Sequence, residues 1–207
     1  MEVGLAKRIM FPAGSLYLEG ILVQRNLSKA VVISHPHPLY GGDMNNHVVG
    51  LIAQTFEEQG WTTLRFNFRG VGRSQGNFDQ GIGEKEDVSA AVAYLKGSGI
   101  QKIILAGYSF GAWVNAQVAL THPDVQGSIL VSPPAAMMDF SFLSQDMKIR
   151  LIVVGDQDPF APISKIKNLV QSMQSPPPLK IVKGADHFFS FGSEELTAAL
   201  MAIQPSL

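Results

Sequence analysis

The stretch Gly107-Tyr108-Ser109-Phe110-Gly111 sets a serine between two glycines in a G-x-S-x-G pattern. A serine hydroxyl attacks a carbonyl only when a base takes its proton, and the base in turn needs an acid to hold it. Five histidines could serve: His35, His37, His47, His122 and His187. In one recurrent chain order of such triads the serine comes first, the acid next and the histidine last, which leaves His122 and His187. His122, in "THPD", closes the helix that Ser109 opens and so lies a helix length away. His187, in "GADHFF", follows the last strand-like run. The acid should lie between them, after a strand. "VVGDQDPFAP" offers Asp156 and Asp158, both of which also suit a turn and helix cap. Asp158 is preferred because it lies further past the strand end, toward the loop tip. Asp139, Asp146 and Asp186 are weaker; Asp186 adjoins His187, and neighbours in a tight loop rarely face one another.

Such a set works only if the chain brings it together. Two alternating runs, Lys7–Phe11 and Leu16–Val23, flank Pro12-Ala13-Gly14-Ser15 and predict an antiparallel hairpin. Short apolar runs then recur: "AVVIS" from Ala30, "TTLRFNF" from Thr62, "KIILAGY" from Lys102, "GSILVS" from Gly127, "IRLIVVG" from Ile149 and "LKIVKG" from Leu179. Runs apolar on both faces suit parallel strands covered by helices. Helical segments lie between them: Asn46–Gln59, Glu84–Lys96, Ala112–Leu120, Ile163–Met173 and Glu194–Ile203. Strand alternating with helix predicts a doubly wound α/β sheet in one domain spanning residues 1–207. The segment 133–147 has weak periodicity and reads as a small helix or a lid. On this plan Ser109 stands at a sharp turn from strand to helix. The flanking glycines are needed because a Cβ at either position would clash. The helix N-terminus beside the serine favours developing negative charge. Parallel strands deliver their C-terminal loops to one edge, so Ser109 and His187 converge.

Composition narrows the classes. The 207 residues are 46% hydrophobic and 16% charged, with a formal net charge of -1, so no bulk field selects nucleic acid or an acidic membrane. There is no cysteine, which excludes disulfides, thiolate metal sites and a cysteine nucleophile. No run approaches the length of a membrane span. Lys7 and Arg8 stand where a signal peptide needs its apolar stretch, so a cytoplasmic protein is expected.

Five pieces in this order, "HPHPLYGG", "NFRGVGRSQG", "GYSFGA", "GDQDPFAP" and "GADHFF", resemble the α/β-hydrolase superfamily over nearly the whole chain. The combination is most similar to a compact bacterial-type subgroup near the dienelactone hydrolases and small carboxylesterases. The resemblance implies an eight-stranded, mostly parallel sheet with an antiparallel second strand, and a triad of Ser109, Asp158 and His187. At 207 residues the chain is too short for a large cap domain. The dienelactone hydrolases themselves use a cysteine nucleophile, which this chain lacks. The expected chemistry is hydrolysis of a carboxylic ester or thioester through an acyl-enzyme. The alternatives are amide hydrolysis on the same fold, or a catalytically silent binding protein.

The oxyanion donors are expected to be the backbone N–H groups of Phe110 and His37. Pro36 and Pro38 cannot donate, and Leu39 or Tyr40 is the rival to His37. Tyr108, Met137, Met138, Phe140 and Phe188 are the candidate pocket residues, with Phe142, Leu143, Phe189 and Phe191 nearby. His35-x-His37 has the look of a metal-ligand pair, but Asp43 is the only acid close by, so no metal or cofactor is expected. Arg69 and Arg73 could hold an anion, though bracing their loop is the preferred reading. The partner is expected to be a small molecule, with no nucleic acid; the oligomeric state is not readable.

Overall fold

The structure, a computed structural model, describes residues 4–144 and 148–203. Asp146 and the end of the 133–147 segment lie outside the described residues. The chain opens with strands β1 (Lys7–Ala13) and β2 (Leu16–Val23), joined at Gly14-Ser15, where Gly14 takes φ +60°. The hairpin is therefore tighter than expected, because Pro12 and Ala13 belong to β1. Pro12 sits opposite Tyr17, and β1 pairs with β2 alone, so the missing N–H faces an open sheet edge.

Six further strands complete one sheet: β3 (Lys29–Ser34), β4 (Thr62–Phe66), β5 (Lys102–Tyr108), β6 (Val125–Val131), β7 (Ile149–Gly155) and β8 (Leu179–Val182). Their spatial order is β1-β2-β4-β3-β5-β6-β7-β8. Only β2 opposes the rest, pairing antiparallel with both β1 and β4. Five helices flank the sheet: α1 (His47–Glu58), α2 (Ile82–Gly97), α3 (Phe110–Thr121), α4 (Ile163–Ser172) and α5 (Ser193–Met201). They start where local chemistry dictates. Asn46 caps α1 by accepting from Val48 N, and Glu84 in the first turn of α2 accepts from Gly81 N.

The nearly continuous apolar strands serve two cores. On one face Val31, Ile33, Ile104 and Val153 pack with α1 and α5. On the other, Val32, Leu105 and Val114 pack with α2 and α3, and Leu130, Ile152 and Ile166 pack with α3 and α4. Each such fully buried aliphatic side chain contributes about 1.5–3 kcal/mol over exposure. Alternating crossovers to opposite faces place a switch in strand order between β3 and β5, where open α/β sheets form their crevices. Among the described residues the connection from β6 to β7 holds only a 3-10 turn, Ser141–Ser144, and there is no large cap.

Candidate active site

Strand register aligns the loop-bearing ends. Ser34 pairs with Gly107, Tyr108 with Val131 and Gly155 with Val182, so the segments leaving β3, β5, β7 and β8 emerge together. At the end of β5 the chain turns sharply into α3. A Cβ on Gly107 would lie 2.3 Å from Gly111 O, and one on Gly111 would lie 2.4 Å from Ser34 O. Close backbone approach, not unusual φ, demands both glycines. Ser109 itself sits at φ 55°, ψ -119°, a conformation that costs of order 1–3 kcal/mol and is held here between β5 and α3, with Ser109 N donating to Val131 O at 2.9 Å.

Three side chains from three loops form a hydrogen-bonded line. His187 Nε2 lies 3.0 Å from Ser109 Oγ, and His187 Nδ1 lies 2.8 Å from Asp158 Oδ2. The other Asp158 oxygen accepts from Phe160 N and Ala161 N, each at 2.9 Å. With both carboxylate oxygens occupied, Nδ1 carries the proton and Nε2 is free to accept one. Burial pushes the Asp158 carboxyl up, but its bond to His187, the neighbouring imidazole and the Ala161 N–H outweigh burial and hold it below the ordinary carboxylate value. The Tyr108 hydroxyl donates to the His187 carbonyl at 3.0 Å, and burial pushes that phenol's pKa up, so it remains a donor.

The rival groups are occupied elsewhere. Asp156 accepts from Gly184 N at 2.6 Å and does not touch His187. Asp186 binds Ser190, and Asp139 binds Ser141. His122 caps the far end of α3 and accepts from Asp124 N, while His47 is exposed beside Ser193.

The loop after β3 lies against the start of α3, with the His37 and Phe110 rings 4.9 Å apart. Its donors can be counted. Leu39 N donates to His37 Nδ1, Tyr40 N and Gly42 N donate to His37 O, and Gly41 N donates to Pro38 O. Pro36 and Pro38 have no N–H. In residues 36–42 that leaves the His37 N–H without an acceptor among the described residues. Phe110 N–H stands in the first turn of α3, where no intrahelical acceptor exists. Burial lowers the His37 ring pKa against the pull of Glu84, so the ring is neutral and accepts from Leu39 N.

A cleft of about 370 Å³ opens over Ser109 and His187. Tyr108, Met137, Met138 and Phe188 line it. Phe140 does not. It is buried with Leu143 against α3 and α4 and stacks on Phe142, because the turn that exposes Met137 carries it inward. Phe189 is likewise core, while Phe191 is exposed. Sequence reasoning missed Tyr40, Asn46 and Phe160 in the lining. Phe160 was within reach, standing two residues after Asp158. No Asp, Glu, Lys or Arg lines the cleft among the described residues.

Arg69 grips Asp87 through Nε and Nη2 at 2.8–3.2 Å and reaches Glu86, so it braces the loop after β4. Arg73 is exposed. Both ring nitrogens of His35 are taken by backbone, so His35 and His37 do not form a ligand pair. No group of three or more His, Asp or Glu among the described residues is placed to hold a metal. No described helix is long and apolar enough to cross a membrane.

Comparison with known proteins agrees with this architecture. The α/β-hydrolase-fold family matches residues 37–151. An uncharacterised protein of Rickettsia prowazekii is 38% identical over 179 residues, spanning 82% of this chain and 75% of its own. An α/β serine hydrolase homologue from Coxiella burnetii is 38% identical with a TM-score of 0.86, over 94% of this chain and 95% of its own. A Xanthomonas campestris protein described as an α/β serine hydrolase without a lid is 30% identical with a TM-score of 0.84, over 97% and 93% of the two chains.

Proposed function

The chain belongs to the α/β-hydrolase-fold family, and from that premise we propose that it is a serine hydrolase cleaving carboxylic esters or thioesters of small, mainly apolar substrates. The observation that carries the reading is the line Ser109–His187–Asp158, at 3.0 and 2.8 Å, whose serine and histidine line the cleft. Ser109 Oγ attacks the carbonyl carbon while His187 Nε2 takes its proton. Asp158 fixes the ring tautomer and stabilises the imidazolium. The N–H groups of Phe110 and His37 receive the oxyanion. The C–O or C–S bond then breaks, His187 protonates the leaving group, and the acyl group stays on Ser109. Water attacks the acyl-enzyme by the same route in reverse and frees the acid.

The cleft supports the substrate class. It offers Met137, Met138, Phe160 and Phe188 and no charged side chain among the described residues, which suits an uncharged, apolar acyl or alkyl group. The relatives described as serine hydrolases, one of them without a lid, support the reaction class. A panel of p-nitrophenyl esters from acetate to decanoate, with a matched p-nitroanilide, tests the proposal. Esters should turn over, the anilide far less, and Ser109→Ala should lower kcat by on the order of 10⁴-fold or more. No turnover across the panel, or near-wild-type turnover by Ser109→Ala, would overturn it.

A further inference from the structure

His35 is the most deeply enclosed histidine of the chain, and the proposed triad does not use it. Its Nδ1 lies 2.6 Å from Pro36 O, and its Nε2 lies 3.0 Å from Phe68 N. A carbonyl only accepts and a backbone N–H only donates, so the tautomer is determined: Nδ1 carries the hydrogen and Nε2 is the acceptor. Burial pushes the ring pKa down to about 4, which keeps this neutral form across the working range.

The Pro36 carbonyl and the His37 N–H belong to the same peptide unit. In a planar trans peptide these two groups point in opposite directions, so fixing the oxygen fixes the hydrogen. The unit has limited freedom already. Pro36 locks its own φ, and Pro38 holds His37 extended, at ψ 123°. The rotations left are ψ of Pro36 and φ of His37, and turning both would flip the peptide. A flip would replace the N–H with a carbonyl oxygen facing the cleft. The His37 N–H has no protein acceptor among the described residues, so no hydrogen bond of its own resists such a flip. The His35 bond opposes it, because a flip would carry the Pro36 carbonyl away from Nδ1–H. Gly42 passes so near that a Cβ there would lie 2.1 Å from Pro36 O, so its lack of a side chain leaves that carbonyl its place.

We propose that His35 is a positioning residue, which anchors the Pro36 carbonyl through Nδ1–H and thereby keeps the His37 N–H aimed into the oxyanion site. The Phe68 N–H serves the same end by holding the ring in the required tautomer. This rests on the proposed role of His37 N as an oxyanion donor.

The test separates the two halves of the ring. In His35→Asn the side-chain amide nitrogen stands where Nδ1 was and still reaches Pro36 O. In His35→Gln the amide oxygen reaches toward Phe68 N and the bond to Pro36 O is lost. Each variant gives up one hydrogen bond. If His35 is only a structural brace, both should lose activity alike, in step with stability. The anchoring role predicts a split. His35→Gln should lower kcat by about 10²-fold, as for loss of one oxyanion donor, with KM changed less than about 3-fold. Its affinity for a trifluoromethyl ketone should fall in parallel. His35→Asn should stay within about 5-fold of wild type on both measures. If His35→Gln fails to fold, His35→Asn decides alone, and a loss of about 10²-fold there overturns the proposal. A crystal structure of the phosphonylated wild type keeps the premises apart. A phosphonyl oxygen held by His37 N, with equal losses or no loss in the two variants, overturns the anchoring role only. An oxygen on Ser109 held away from His37 N overturns the donor assignment, and the anchor with it.

Discussion

Replacing Asp158 by Asn exchanges one oxygen for an amide nitrogen, and the surrounding bonds decide which one. Oδ1 accepts from Phe160 N and Ala161 N, both at 2.9 Å, so the amide must keep its oxygen there. The new NH₂ then faces His187 Nδ1, where the carboxylate had accepted at 2.8 Å. Nδ1 must become the acceptor, and the ring proton moves to Nε2. Nε2 lies 3.0 Å from Ser109 Oγ and now presents a hydrogen to it, so it cannot take the serine proton. The imidazolium also loses its counter-charge. Together these effects should lower kcat by about 10⁴-fold, equivalent to about 5 kcal/mol at 1.36 kcal/mol per tenfold. Asp156→Asn is the control. Its Oδ1 accepts from Gly184 N and Gln157 Nε2, and an amide retains that oxygen, so kcat should stay within about 3-fold. Steady-state hydrolysis of p-nitrophenyl butyrate, with circular dichroism to show that both variants fold, measures the contrast. Equal losses in the two variants, or more than about a tenth of wild-type activity in Asp158→Asn, would refute the tautomer argument.

Two further outcomes follow from the same geometry. Gly111→Ala drives a Cβ to 2.4 Å from Ser34 O and 2.7 Å from His35 O, which are backbone atoms at the end of β3. It should cost about 3 kcal/mol and lower Tm by roughly 6–12 °C, so an unchanged melting curve would contradict the packing at that turn. The second concerns acid. The folded state holds the Asp158 pKa below its unfolded value, so its contribution to stability is complete above the unfolded value of about 3.9 and is lost as pH falls through the folded one. Urea midpoints from pH 6 to pH 2.5 should therefore fall more steeply for wild type than for Asp158→Asn. Parallel curves would show that Asp158 is not linked to folding in this way.

Most of the sheet was legible because its strands are buried on both faces and read as short apolar runs, as in "AVVIS" and "IRLIVVG". The misjudged boundary at Pro12 came from treating proline as a turn signal; an edge strand accepts it, and edge position is a property of the whole sheet. The sequence preference for Asp158 over Asp156 rested on one step along a loop, and the structure brings Asp158, not Asp156, to His187. The segment after β6 was harder. Met137, Met138 and Phe140 are equally apolar, and with no helical or strand period there is no rule to say which faces the cleft. The backbone turn closed by Met137 N and Met138 N on Pro134 O decides it. His35 was legible only as half of an H-x-H pair. Its actual partners are the adjacent Pro36 carbonyl and the backbone of Phe68, which is distant in sequence and unknowable without the register of β3 on β4.

The central claim is that Ser109 is an activated nucleophile, and an alkyl fluorophosphonate tests it without knowledge of the substrate. Such a reagent phosphonylates a serine whose proton is removed by a neighbouring base, with loss of fluoride. Intact-mass measurement and peptide mapping after incubation at neutral pH should show about one phosphonyl group per chain, carried by the peptide that contains Ser109. Ser109→Ala should remain unlabelled under the same conditions. A wild-type chain that gains no mass, or a Ser109→Ala chain labelled as fast as wild type, would contradict the claim.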